Sequence, residues 1–295
     1  MSDKQIDPLS GTETTGHEWD GITELNNPLP RWWLWTFYAT IVFSIGYVVW
    51  YPAIPLINDA TTGLSGQTNR TQLIADLADA AAAQQEQLDQ LAELNLEKIR
   101  SDGDLARFAR AGGASLYKVH CSQCHGSGAT GTRGYPNLND DDWLWGGSLT
   151  AIYTSIKHGI RSPEDDDTRD SEMPAFGTDD LLTSQEISAL SEFVLTLGSG
   201  TAETDTEVAT LYADNCAGCH GETGTGDRDL GALNIANAVA LYGNSREEIA
   251  SQIASPKHGI MPPWGSRLSD VQIKQLALFV HGLGGGEAAT EAKAE

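Results

Sequence analysis

The chain has 295 residues, a formal net charge of −23 and four cysteines, and its length leaves room for two domains of roughly 150 residues each. The acidity excludes nucleic acid as a partner, because nothing here could neutralise a phosphate backbone. It suits a portion in water that stays dispersed and attracts basic proteins, and adaptation to high salt would explain it equally well.

Residues 1–31 form a polar, mostly acidic segment without catalytic side chains. A partner-contact strip is the use expected of it, and a disordered leader is the alternative. From Trp32 to Ile57 no residue is charged. A bilayer core of about 30 Å takes about 20 helical residues, which Trp32 to Tyr51 supplies. Trp32, Trp33 and Trp35 at one end, with Trp50 and Tyr51 at the other, make the aromatic belts of a span. Pro52 and Pro55 then stop the helix. A signal peptide fits less well, since the preceding polar stretch is long and no small-residue cleavage site follows. Residues 32–57 are therefore expected to be an uncleaved anchor. Lys4 and Arg31 before it, against Arg70 after it, give only a weak positive-inside signal.

Residues 58–103 are expected to be a stalk. Thr71 to Arg100 is rich in Ala, Gln, Leu and Glu, good helix formers, and predicts a solvated spacer helix with no chemistry. After it the chain repeats itself. Leu116-Tyr117 stands before Cys121 as Leu211-Tyr212 stands before Cys216. Lys157-His158-Gly159-Ile160 recurs as Lys257-His258-Gly259-Ile260, and Met173-Pro174 answers Met261-Pro262. Each copy closes with a helix opened by a capping box, Thr183 to Glu186 and Ser269 to Gln272. Phe193-Val194 and Phe279-Val280 lie on the apolar faces, and Gly198 and Gly282 are expected as the ends. The reading is all-α: one transmembrane helix, a helical stalk, and two tandem domains at 104–200 and 201–285. A polar linker joins the copies, and the tail, 286–295, is expected to be disordered.

All four cysteines fall in CxxCH motifs, Cys121, Cys124 and His125, then Cys216, Cys219 and His220. This is a haem attachment signal. Two thiols on one helical turn reach the two vinyl positions of one porphyrin edge, and the adjacent imidazole meets the iron. Zinc usually wants a second Cys or His pair nearby, and a thioredoxin-like pair needs a βαβ setting; neither context is present. No cysteine remains for a disulfide, so something else must stabilise the fold, and a large apolar cofactor buried in each half would serve. Two covalently bound haem c groups are expected. Apart from Met1, the methionines are Met173 and Met261, each downstream of a CxxCH and directly before proline. They are the expected sixth ligands, a choice that raises the potential and leaves no open site. Pairing within each copy is the simpler default, and crossing to the other copy's haem stays open. His158 and His258 are competing ligands, or else bind backbone or propionate groups with Lys157 and Lys257. His17, His120 and His281 have no repeat partner and are read as surface residues. The block from Tyr135 to Gly147 has no counterpart in the second copy. It is either a cap over the haem edge or a docking surface.

Three blocks resemble the dihaem subunit III of cbb3-type (C-family haem–copper) cytochrome c oxidases. They are His17 to Trp33 before the span, Tyr135 to Gly147 with Ile156 to Ile160, and the paired CxxCH motifs with trailing Met-Pro. The resemblance implies an electron-input subunit that is not an enzyme by itself. Electrons would come from a donor cytochrome c and leave through a monohaem cytochrome subunit to the catalytic haem–copper subunit that reduces oxygen. It also implies a bacterial inner-membrane location with the N-terminus cytoplasmic and the haem domains periplasmic, because thioether formation takes place on the export side. The rivals are a free-standing tethered carrier, which would not need a specified Asp20 to Trp33 strip, and a dihaem peroxidase, which needs an open iron.

Overall fold

A computed structural model describes residues 5–237 and 239–288. The chain divides into two compact units, with the break between Ala83 and Gln84.

In the first unit, strands β1 (Thr14–Trp19) and β2 (Ile22–Leu25) form an antiparallel hairpin with Trp19 opposite Ile22. The all-α expectation is corrected here. Asp20 and Gly21 both take positive φ, +50° and +84°, which is the backbone of a two-residue primed turn and suits Asp-Gly. The strands carry little apolar alternation, so the turn was the only legible signal. Helix α1 (Arg31–Trp50) has no buried residue and is long and apolar enough to cross a bilayer. Its serine and threonine hydroxyls are satisfied within the helix, Thr36 donating to Trp32 O, Thr40 to Phe37 O and Ser44 to Thr40 O at 2.7–2.9 Å, as a helix in lipid would require. The end is closed by the N–H groups of Leu64 and Ser65, which donate to Val49 O and Trp50 O at 3.0 and 2.9 Å. Gly63 makes this approach possible: a Cβ there would lie 2.5 Å from Trp50 O. Helix α2 (Asn69–Glu93) runs from the first unit into the second.

The expected single stalk helix is broken. Asn95 caps a new helix, α3 (Leu96–Ser101), by accepting from Lys98 N, and Asp102 caps α4 (Gly103–His120). Leu91 and Ile99 are fully buried with Leu105, Leu149 and Leu278. The last turn of α2 is therefore core and not spacer. Its terminal carbonyls, Leu91, Ala92 and Leu94, accept from Lys274 Nζ at 3.0–3.1 Å, a cation placed where a helix C-terminus favours one.

The remaining helices are α5 (Ser122–His125), α6 (Leu149–His158), α7 (Ser184–Ser199), α8 (Glu207–Asn215), α9 (Ala217–His220), α10 (Arg246–Ala254) and α11 (Asp270–His281). Both expected capping boxes form, and Ser245 with Glu248 makes a third at α10. Helix α7 ends at Gly200 in the left-handed conformation and runs through Gly198, the residue expected to stop it.

The closing helices are exchanged between the copies. Helix α11, from the second copy, packs on α4 and α6 of the first, while α7, from the first, packs on α8 and α10 of the second. One core accordingly joins Tyr117, Ile152 and Ile156 to Ile273, Leu276 and Val280. The other joins Ile187, Leu190 and Phe193 to Tyr212 and Ile253. Helices α4 and α11 cross closely, since a Cβ on Gly113 would sit 2.1 Å from Gln275 O. The C-terminal stretch from Gly285 to Glu287 is also bound. Trp143 Nε1 donates to Gly285 O, Gly147 N to a Glu287 carboxylate oxygen, and Glu287 N to Gly147 O. The expected disorder of the tail beyond Ala288 lies outside the described residues.

Candidate functional site

The two CxxCH motifs occupy the same local geometry. Tyr117 and Tyr212, on the helices that lead into them, donate through Oη to Gly126 O and Gly221 O, both at 2.8 Å. Each motif is a single helical turn, with His125 N bonded to Cys121 O and His220 N to Cys216 O. His125 Nδ1 lies 3.0 Å from Pro136 O and His220 Nδ1 2.9 Å from Leu233 O. A carbonyl can only accept, so Nδ1 carries the proton and Nε2 keeps its lone pair for a metal. Burial holds the His125 imidazole below its ordinary range, which favours that neutral form. All four thiols are unpaired. Cys124 and Cys219 are exposed, and burial pushes the Cys121 and Cys216 thiols up to about 11.

Two apolar cavities meet at each motif. At the second, spaces of about 870 and 860 Å³ share Met173, Cys216, His220 and Leu233 as lining. At the first, spaces of about 750 and 1100 Å³ share Cys121, His125, Pro136 and Met261. The methionines therefore cross: Met261 lines the first motif's cavities and Met173 the second's. The simpler default of pairing within each copy fails, because each methionine travels with the closing helix that follows it. Met261 is fixed by paired bonds with Ile160, N to O at 3.0 Å and O from N at 2.9 Å. The exchange extends to the aromatic contacts. Tyr117 meets Phe279 and Tyr212 meets Phe193, both at 5.3 Å between centroids.

A flat macrocycle with histidine on one face and methionine on the other suits this donor set. The thiols lie at one edge, the histidine lone pair is free, and the walls are apolar. One orphan agrees with it: His258 Nε2 is buried on the second site's wall with no hydrogen-bond partner among the described residues.

Other expectations fare differently. His158 points away from the cavities and its Nδ1 is bonded to the Asp165 carboxylate at 3.1 Å. The two duplicated histidines have therefore diverged. His120, read as a surface residue, lines the first site and lies against Trp264, the rings tilted by 58° with centroids 5.1 Å apart. The Tyr135 to Gly147 block caps the first site through Leu144 and Trp145. Trp145 also sits against Gly231 of the second copy, where a Cβ would come within 2.3 Å of the indole. Sequence reasoning missed Arg161 and Leu241, which line cavities of both sites together with Leu144 of the expected cap. Only the positive φ of Arg161, +52°, distinguishes that residue, and no sequence pattern encodes it.

Comparison with known proteins agrees with this geometry. Residues 11–58 match the family described as the N-terminal domain of cytochrome oxidase-cbb3, FixP. Residues 109–194 and 203–280 match the family described as cytochrome C oxidase, cbb3-type, subunit III. The chain is 50% identical to the cbb3-type cytochrome c oxidase subunit CcoP of Cereibacter sphaeroides, over 93% of this chain and 95% of that one. It is 52% identical to subunit FixPc of Rhizobium leguminosarum bv. viciae, over 97% and 100%. With subunit CcoP of Azospirillum brasilense the identity is 44%, over 97% and 100%.

Proposed function

The chain belongs to the cbb3-type cytochrome c oxidase subunit III family, and from that premise we propose that it is the membrane-anchored dihaem electron-transfer subunit of such an oxidase. The observation that carries the reading is the duplicated Cys-Cys-His-Met geometry, with Leu144, Arg161 and Leu241 shared between the two sites. We assign Cys121, Cys124, His125 and Met261 to one haem c, and Cys216, Cys219, His220 and Met173 to the other, both covalently held. In sequence the haem domains are residues 104–200 and 201–285, with their closing helices exchanged. Bound haem supplies a one-electron iron couple. The protein's part would be to hold each iron between its histidine and its methionine, leaving no site for oxygen, to exclude water with apolar walls, and to keep the two groups across a common wall. Electrons pass from site to site, and bond chemistry is left to a partner.

The partners proposed are a donor cytochrome c, a monohaem cytochrome subunit and the catalytic haem–copper subunit. The net charge of −23 favours a basic donor surface. The haem domains lie on the periplasmic side of the inner membrane and residues 1–31 in the cytoplasm. The match over residues 11–58 favours an oxidase subunit over a free-standing carrier, which would have no use for a specified strip ahead of the span. The test is purification from native membranes in mild detergent through a C-terminal tag. Copurification of b-type haem, copper and oxygen-reducing activity in fixed proportion is expected. A dihaem c spectrum alone would overturn the oxidase reading.

A further inference from the structure

Arg161 occupies a position that electron relay by itself does not explain. Its backbone N donates to Arg169 O at 2.8 Å. Its side chain donates from Nε to Gly259 O at 2.9 Å and from Nη1 to Ser171 O at 3.1 Å. Gly259 precedes Met261 by two residues, and Ser171 precedes Met173 by two, so the guanidinium is tied to both methionine-bearing segments. The Nη2 nitrogen makes no hydrogen bond among the described residues. The guanidinium is half-buried and has no carboxylate partner among them either, in a chain whose net charge is −23.

An unpaired, partly buried cation is costly, and in so acidic a protein the absence of a partner is telling. Arg161 lines a cavity of the second site and a cavity of the first. Among the described residues, no other Arg or Lys lines the first site's paired cavities, and only Lys257 joins it in the second's. Haem c carries carboxylate side chains, and buried carboxylates need a counter-charge. A guanidinium is the group best shaped to meet them.

We propose that Arg161 is a shared counter-ion for the propionate carboxylates of both haems, so that one side chain sets the two potentials together. The proposal rests on the dihaem reading above. A positive charge beside a haem favours the ferrous form, so removing it must lower the potential. Because the charge is shared, both couples must fall.

The experiment is redox titration of the full-length, haem-loaded protein in detergent, with haem content counted first. Fewer than two haems per chain in the unaltered protein would sink the dihaem reading itself. With two haems present, Arg161→Gln is expected to shift both couples to lower potential, and Arg161→Lys, which keeps the charge, to leave both near their original values. Lys257→Gln should move one couple only. A shift of a single couple in Arg161→Gln, or of neither, overturns the shared assignment. So does a shift of both in Lys257→Gln, which would reduce the effect to net charge. Should Arg161→Gln lose the absorption band of methionine-ligated ferric haem, Arg161→Lys decides. Retained ligation and potentials support a charge role, and lost ligation makes Arg161 only a strut.

Discussion

The exchange of methionines can be tested by leaving one site intact. With Cys216 and Cys219 both changed to alanine, only the first motif can attach haem. In that background Met261→Ala should remove the sixth ligand, and Met173→Ala should leave it in place. Met261 is not free to trade places with Met173. The segment that bears it is moored by Met261 N to Ile160 O at 3.0 Å, Ile160 N to Met261 O at 2.9 Å, Trp264 N to Ile156 O at 3.0 Å and Gly265 N to Lys157 O at 2.9 Å. At roughly 0.5–1.5 kcal/mol for each bond, release would cost about 2–6 kcal/mol before any packing is lost. Loss of the thioether should lower the potential, and each tenfold change in the ferrous-over-ferric preference appears as about 59 mV for one electron. The readouts are the absorption band of methionine-ligated ferric haem, redox titration, and carbon monoxide binding to the ferrous form. If Met173→Ala opens the iron in this background and Met261→Ala does not, the crossed assignment is wrong.

Leu276 in α11 and Leu190 in α7 are 1% and 0% exposed and line the first and second sites respectively. Leu276→Ala should therefore loosen the first site and Leu190→Ala the second, each at about 3–5 kcal/mol, as measured by denaturant titration with haem absorption as the probe. Gly113→Val should force α4 and α11 apart and cost about 1–3 kcal/mol or more, and a variant with an unchanged denaturation midpoint would contradict the close crossing. Lys274→Ala leaves three carbonyls at the end of α2 without their cation. It should cost about 1.5–3 kcal/mol and speed amide exchange around Leu91 to Asn95.

The parts of the site legible in the sequence were those encoded locally. A CxxCH on one turn, a capping box and a methionine before a proline each state their geometry within a few residues. The long apolar helix α1 was equally plain, because from Trp32 on it is written as one unbroken uncharged run. The hairpin was hidden because its strands carry little apolar alternation, leaving only Asp20-Gly21 as a signal. Arg161, Leu144 and Leu241 come together only through the tertiary fold. The exchange was illegible for a different reason. The apolar faces of α7 (Ile187, Leu190, Phe193) and α11 (Ile273, Leu276, Phe279) have identical spacing, so hydrophobic pattern alone lets either helix close either site.

What breaks that degeneracy is side-chain size. Helix α4 presents Gly112 and Gly113, and Gln275 of α11 lies over both, so close that a Cβ on Gly112 would be 2.4 Å from Gln275 Nε2. Gln275 is only 6% exposed there. Counting from the first cysteine of each motif, the matching positions in α8 are Glu207 and Val208, and Val208 is packed into the second core. Aligned on its apolar face, α7 carries Ala189 where α11 carries Gln275. Seating α11 on α8 would therefore drive Gln275 into Val208, while seating α7 on α4 would leave the glycine groove unfilled and lose the dispersion contacts that a close-packed interior supplies. The observed pairing avoids both the clash and the void. It also makes each site depend on residues from both copies, so neither site can be completed by its own half of the chain. The two glycines in mid-helix, which cost helix stability on their own, are the sequence mark of this choice.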